Sequence, residues 1–161
     1  MTVQHATSGP GALSASSLPR SAPQSAEAMR DREQHRQAWL LMLRHRLQRQ
    51  LDNADAGKLI RRFLLGPWAE VIARVMVQHG EEAPETRACL ELVTTLLHSV
   101  SPQPDDAARE RLRAQLPRLI DALNRGMDVI AMPPTERRTF LDALMRRHAR
   151  ALHLPGCLMA R

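Results

Sequence analysis

Seven histidines and two cysteines are the side chains here that could hold a metal or carry a proton. Their spacing decides what they can do. A zinc site on one helix face calls for His-Glu-x-x-His, and one on tight turns calls for paired Cys-x-x-Cys; neither pattern occurs. His148 and His153 stand five apart, a spacing that puts two ligands on different sides of a helix. His148 lies one turn after Leu144 and one before Leu152, on an apolar stripe, so it is expected to be a structural histidine hydrogen-bonded to a neighbouring helix rather than a general base. His79 and His98 fall near helix ends, where a positively charged ring suits the dipole. Cys89 has leucine at positions 90, 92 and 96. Burial there raises a thiol's pKa and withholds the nucleophilic thiolate. The expectation is no catalytic residue, no metal, no cofactor and no small-molecule ligand, and so not an enzyme.

Charge is the more informative chemistry. The formal net charge is +6, and Lys58 is the only lysine. Residues 30–62 carry nine Arg and Lys against four Asp and Glu, and residues 135–161 carry six against two, whereas residues 66–101 carry two against five. The positive charge is therefore concentrated on two stretches, and Arg32, Arg36, Arg44, Arg46, Arg49, Arg61, Arg62, Arg146, Arg147 and Arg150 are the candidate interaction surface. An acidic protein surface or a nucleic acid would meet a favourable field there. A plainer account also exists. Glu70 with Arg74, Asp121 with Arg125 and Asp142 with Arg146 are four apart with the acid first, as solvated helix faces prefer. No recognition helix, zinc finger or glycine clamp accompanies the basic stretches. Trp39 and Trp68 both fall on apolar stripes, which makes them core anchors before stacking platforms.

Helices must position these groups. Five stretches place apolar residues at three-and-four spacing, and none shows the period-two alternation of a half-buried strand. The fold class expected is all-α, a compact bundle of about five helices. The first runs from about Glu27 to Gln50 with Trp39, Leu43, Leu47 and Leu51 on one stripe. The second, about Ala56 to His79, has the most regular stripe (Ile60, Phe63, Leu64, Trp68, Val71, Ile72, Val75, Met76) and is expected at the core's centre. Gly66 and Pro67 interrupt it, as a kink or as two abutting helices, because proline lacks the amide and its ring crowds the preceding turn. Gly80 closes this segment at a position that favours positive φ. Pro84 opens the third helix. Ser101 to Pro104 end it. Asp105 and Asp106 start a fourth that carries Leu112, Leu116, Leu119, Leu123 and Met127, and Pro117 is expected to bend it. Thr135 is expected to cap the last, which buries Leu141, Leu144, Met145 and Leu152.

Length and composition set the frame. The 161 residues suffice for one domain with a continuous core. Residues 1–26 are rich in Ser, Ala, Pro and Gly with no acidic residue, and are expected to form a disordered tail. Residues 27–154 would be the helical domain and 155–161 a C-terminal tail. The leading stretch lacks both the arginine-rich amphipathic pattern of a transit peptide and the apolar run of a secretory signal. Cys89 and Cys157 each sit beside leucine, which argues against a disulfide framework and for a reducing compartment; the cytoplasm is the location expected. No stretch approaches the roughly 18 consecutive apolar residues of a membrane span.

The run Phe63, Leu64, Leu65, Gly66, Pro67, Trp68, Ala69, Glu70, Val71 resembles the domain of unknown function family sixteen thirty-one, long bacterial proteins sometimes labelled thymidine-phosphorylase-like. The likeness continues through Glu91, Leu92, Leu96, Leu97, Ser99, Val100 and Pro102, which look like that family's "DLLWSVQP" stretch. It goes on through Arg111, Leu112, Leu116, Pro117, Leu119, Ile120, Gly126 and Ile130 to Phe140, Leu144 and His148, covering roughly Leu59 to Leu152. The relatives are several times longer than this chain. The resemblance implies no chemistry: a nucleoside phosphorylase needs a phosphate-binding loop and a substrate domain, and only scattered single glycines are present here. Some relatives carry a PilZ-type domain, which binds cyclic di-GMP. Arg32 and Arg36 have its arginine spacing, but the partner motif, Asp or Asn followed by Ser and Gly on a strand, is missing.

The function expected is a non-catalytic helical module that binds another protein or itself. Electrostatic binding of nucleic acid through the basic helices, residues 27–62 and 135–153, is the alternative.

Overall fold

A computed structural model of the chain describes residues 21–153, with side chains from residue 25 onward. The elements are α1 (Ser21–Asp52), α2 (Gly57–Phe63), a π-helical turn (Leu64–Trp68), α3 (Ala69–His79), α4 (Pro84–Val100), α5 (Asp106–Val129) and α6 (Pro134–His153). No strand occurs among the described residues. Phe63, Leu64, Trp68 and Ala69 all keep right-handed helical backbone, so α2, the π turn and α3 form one rod. Five helical rods therefore pack together, as the five stripes require. No helix among the described residues is long and apolar enough to cross a membrane.

Two expected boundaries move. Helix α1 begins at Ser21, so residues 21–26 belong to the helix and not to the expected tail. Ala22, Gln24 and Ala26 are good helix formers, and Pro23 falls in the first turn, where a missing amide breaks no bond. The rest of that tail, residues 1–20, lies outside the described residues, as does the expected C-terminal tail 155–161. Helix α6 begins at Pro134, so Thr135 stands inside the first turn and does not cap it. The reason is the same: the fixed φ of proline suits the first helical position.

Other local signals hold. Asp105 caps α5 by accepting from the Ala108 amide at 2.7 Å. Pro84 opens α4. Gly80 turns the chain with φ +101, and its carbonyl accepts from Thr86 Oγ1 at 2.7 Å, which satisfies a buried hydroxyl.

The interruption at Gly66-Pro67 resolves as the π turn. Pro67 has no amide for the Phe63 carbonyl, and the widened turn lets the Ala69 amide bond to the Leu64 and Gly66 oxygens. The Leu65 carbonyl, which a regular α-helix would offer to that amide, accepts instead from Arg44 Nε at 3.1 Å. One guanidinium thus ties α1, which packs along α3, to the irregular turn.

The turn also aims Trp68 into the centre. Its ring is 2% exposed, and its indole N–H donates to the Cys89 carbonyl of α4 at 3.1 Å. On another side it lies against Gly126 of α5, where an added Cβ would fall inside the indole's van der Waals surface. Phe63 sits 5.8 Å from Trp68 and stacks on Phe140 of α6 at 3.6 Å. Three helices are therefore keyed to one turn. Gly126→Ala would gain up to about 1 kcal/mol of helix propensity at a solvated site. Here overpacking against a rigid ring should override that and leave a net loss of about 1–2 kcal/mol. Chemical denaturation checks it, and a neutral or stabilising result would show that α5 does not need its glycine.

Candidate binding surface

The polar pair best placed to do chemistry lies in the core. Ser99 of α4 and His148 of α6 are 2% and 3% exposed, with Oγ and Nε2 2.9 Å apart. Ser99 has a single hydroxyl proton and donates it to the Leu96 carbonyl at 2.7 Å. His148 must therefore be the donor, through a protonated Nε2, which leaves Nδ1 as a bare acceptor. Nδ1 is buried and has no hydrogen-bond partner among the described residues. Burial holds the imidazole neutral and lowers its pKa to about 4. A Ser–His pair of this kind lacks the orienting carboxylate of a nucleophilic triad, and its hydroxyl proton is already committed to a carbonyl. What it does is join the end of α4 to α6, the structural role that its place on the stripe predicts.

The remaining chemistry-bearing groups are placed as follows. Cys89 is half-buried, and desolvation pushes its thiol up. His79 and His98 occupy the last turns of α3 and α4. No cluster of His, Cys, Asp and Glu able to hold a metal ion occurs among the described residues.

The ten candidate arginines do not all face one way. Arg36 is engaged by Glu33 and by Glu70 of α3, at 2.6 Å to Glu70 Oε1, and the guanidinium holds the Glu33 carboxyl down at about 2. Arg44 serves the Leu65 carbonyl. Arg61 donates to the Leu51 carbonyl at the end of α1 and lies 3.9 Å from Asp52. Arg147 pairs with Asp55 at 3.6 Å and lies over Gly57, whose φ of +74 starts α2. These four bind the bundle together. Arg32, Arg46, Arg49, Arg62, Arg146 and Arg150 have no such partner among the described residues.

Two of those six are brought together. α1 ends where α2 begins, and the Arg147–Asp55 pair brings the last turns of α6 to the same place. Arg146 and Arg150 of α6 therefore stand with Lys58 at a basic end where α2 begins. Arg46 and Arg49 lie in the last turns of α1, and Arg62 lies farther along α2 beside Glu136 and Thr139 at the start of α6. Arg32 lies twenty residues up α1 from Asp52, about 30 Å away. Between α2 and α6 the basic end contains a cleft of about 280 Å³ lined by Ala56, Lys58, Leu59, Arg146, Arg147 and Arg150. Lys58 is a wall residue of that cleft that charge counting along the chain had not singled out, because it stands nearly ninety residues from the arginines it faces. Leu59 was missed too, although an apolar residue beside the stripe of Ile60 and Phe63 was the available signal.

A family model described as protein of unknown function (DUF1631), third domain, matches residues 26–145. No curated protein and no solved structure matches the chain.

Proposed function

The chain belongs to the DUF1631 family, matching its third domain, and from that premise we propose that it is a non-catalytic helical module that works by binding another protein. One observation carries this reading: Arg146 and Arg150 of α6 and Lys58 of α2, cations without a carboxylate partner among the described residues, line one open cleft where α2 begins. Charges left unmatched within a fold are what an oppositely charged partner can match, and they set its orientation and association rate. The apolar stripes are already spent on one continuous core. Recognition must then use the surface between and beyond them.

The test is affinity purification of the full chain from its native host after nuclease treatment, followed by size-exclusion chromatography with light scattering. A stoichiometric complex with a second protein, or with further copies of the chain, is the expected result. A monomer that elutes free of protein overturns the reading.

The same basic end supports a second reading, in which the partner is nucleic acid. The aromatic side chains speak against it: Phe63, Trp68 and Phe140 are buried and Trp39 packs against the core, so no ring is offered to a base. Titration with a labelled duplex oligonucleotide separates the two. A phosphate-binding surface of about six cations should lose on the order of a thousandfold in affinity between about 50 and 200 mM salt. Weak, nearly salt-independent retention removes the nucleic-acid reading.

A further inference from the structure

We propose that the face shared by α2 and α6 docks an acidic protein segment that carries an apolar anchor side chain. This rests on the protein-binding reading above and assigns the partner's place and chemistry.

Helix α6 turns residues 136, 139, 140, 143, 146, 147 and 150 toward α2, the three-and-four spacing of a single helical face. The character of that face changes along its length. In its first half, Thr139 and Phe140, with Phe63, Pro67 and Met132, form a groove of about 330 Å³ with a mainly apolar floor. Beyond Ala143 the same face becomes Arg146, Arg147 and Arg150, opposite Lys58. Leu59 lines both hollows and is 40% exposed, so a large apolar side chain stands in solvent between them.

The two halves ask for different things from one ligand. In the basic cleft only Arg147 is matched, by Asp55; Lys58, Arg146 and Arg150 have no carboxylate partner among the described residues. Arg62 adds a further cation on the rim of the groove, against one acid, Glu136. The excess is positive, which selects an anionic occupant. The groove selects something else. Its two phenylalanine rings are 3% and 2% exposed and stacked on each other, so they form an apolar floor with too little exposed ring for a base to stack on, and the hollow suits an aliphatic side chain better. A nucleic acid would satisfy the cleft and leave the groove wet. A segment with a Leu, Ile or Met beside Asp or Glu satisfies both, with the anchor dry and the charges at a solvated rim, the usual anatomy of a small interface.

Selection of displayed random short peptides on the full chain, at about 150 mM salt, tests this, with affinities then read by fluorescence polarisation. Enriched peptides should join acidic residues to an aliphatic one. Their binding should fall by about tenfold or more in Leu59→Glu and, separately, in Arg146→Glu with Arg150→Glu. Lys58→Glu, on the opposite wall, should act in the same direction. These are surface positions, and an unchanged Tm in each variant shows that the fold is intact. Four results overturn the proposal: no enrichment; purely acidic peptides indifferent to Leu59→Glu; displacement of the peptides by an oligonucleotide of equal charge; or a homodimer that Leu59→Glu dissolves, which would make a second copy the occupant. The broader reading fails separately. If the Leu59→Glu and arginine variants still co-purify with the native partner as the wild type does, only this surface is wrong; if the wild type captures no protein, the binding module itself is wrong.

Discussion

Replacing Trp68 by alanine should lower the unfolding free energy by about 3–5 kcal/mol, a large part of the roughly 5–15 kcal/mol that holds an ordinary domain together. Two losses add. The first is the cavity, since the indole is 2% exposed and fills the space between α4, α5 and Phe63. It cannot close easily, because Gly126 offers no side chain to collapse into it. The second is the hydrogen bond from indole Nε1 to the Cys89 carbonyl. Trp68→Phe separates them: it keeps most of the packing and drops the bond, so it should cost about 1–2 kcal/mol. Urea denaturation followed by circular dichroism measures both. A cost for Trp68→Ala below about 2 kcal/mol would mean that the π turn does not hold the bundle through this ring. Coupling to Gly126→Ala provides a further check, because overpacking at Gly126 needs the indole. In the Trp68→Ala background the same substitution should become neutral or stabilising.

The second large effect is a loss of stability in mild acid. Burial lowers the pKa of folded His148 to about 4, whereas the unfolded chain has an ordinary imidazole near 6.5. Between those values the unfolded state binds a proton that the folded state refuses, so the stabilising term is complete above about pH 6.5 and is lost as the pH falls toward 4. At about 1.4 kcal/mol per pKa unit the loss reaches up to about 3 kcal/mol by pH 4. Glu33 and Asp106, whose carboxyls are lowered by Arg36 and Arg109, act in a separate window: their contribution is present above the usual carboxylate range and disappears only at lower pH. His148→Leu should leave stability near pH 7 within about 1 kcal/mol, because it removes the bond to Ser99 together with the orphaned Nδ1, and Ser99 keeps its bond to Leu96. The variant should also flatten the profile between pH 6.5 and 4. An unchanged slope in His148→Leu would show that another group carries the acid sensitivity.

The local part of this architecture is legible in the amino-acid order because its causes are local. Apolar residues three and four apart mark the buried side of a helix, and so the five rods and residues such as Leu43, Ile72, Leu123 and Leu144 follow from the sequence. Met145, expected on the buried face of α6, is instead 61% exposed, one residue round the helix from the line of Phe140, Leu144, His148 and Ala151. Asp105 and Pro84 mark helix starts through bonds to their own neighbours. Even His148 is placed correctly in the core by its position one turn from Leu144. The boundary at Ser21 is less legible, because a stretch of alanine, serine and glutamine has no apolar stripe to signal a helix.

Tertiary structure decided everything that joins residues distant along the chain. No spacing rule says that Ser99 meets His148, that Gly126 makes room for Trp68, or that the break at Gly66-Pro67 becomes a π turn whose spare carbonyl is taken by Arg44. Nor could charge counting separate arginines that clamp the fold, such as Arg36 and Arg61, from Arg146 and Arg150, which remain available beside Lys58 and Leu59. Helix periodicity is a property of the backbone and repeats every few residues. The meeting of two helices is chosen by the packing of the whole core, and only that packing sets a basic cleft beside an apolar groove.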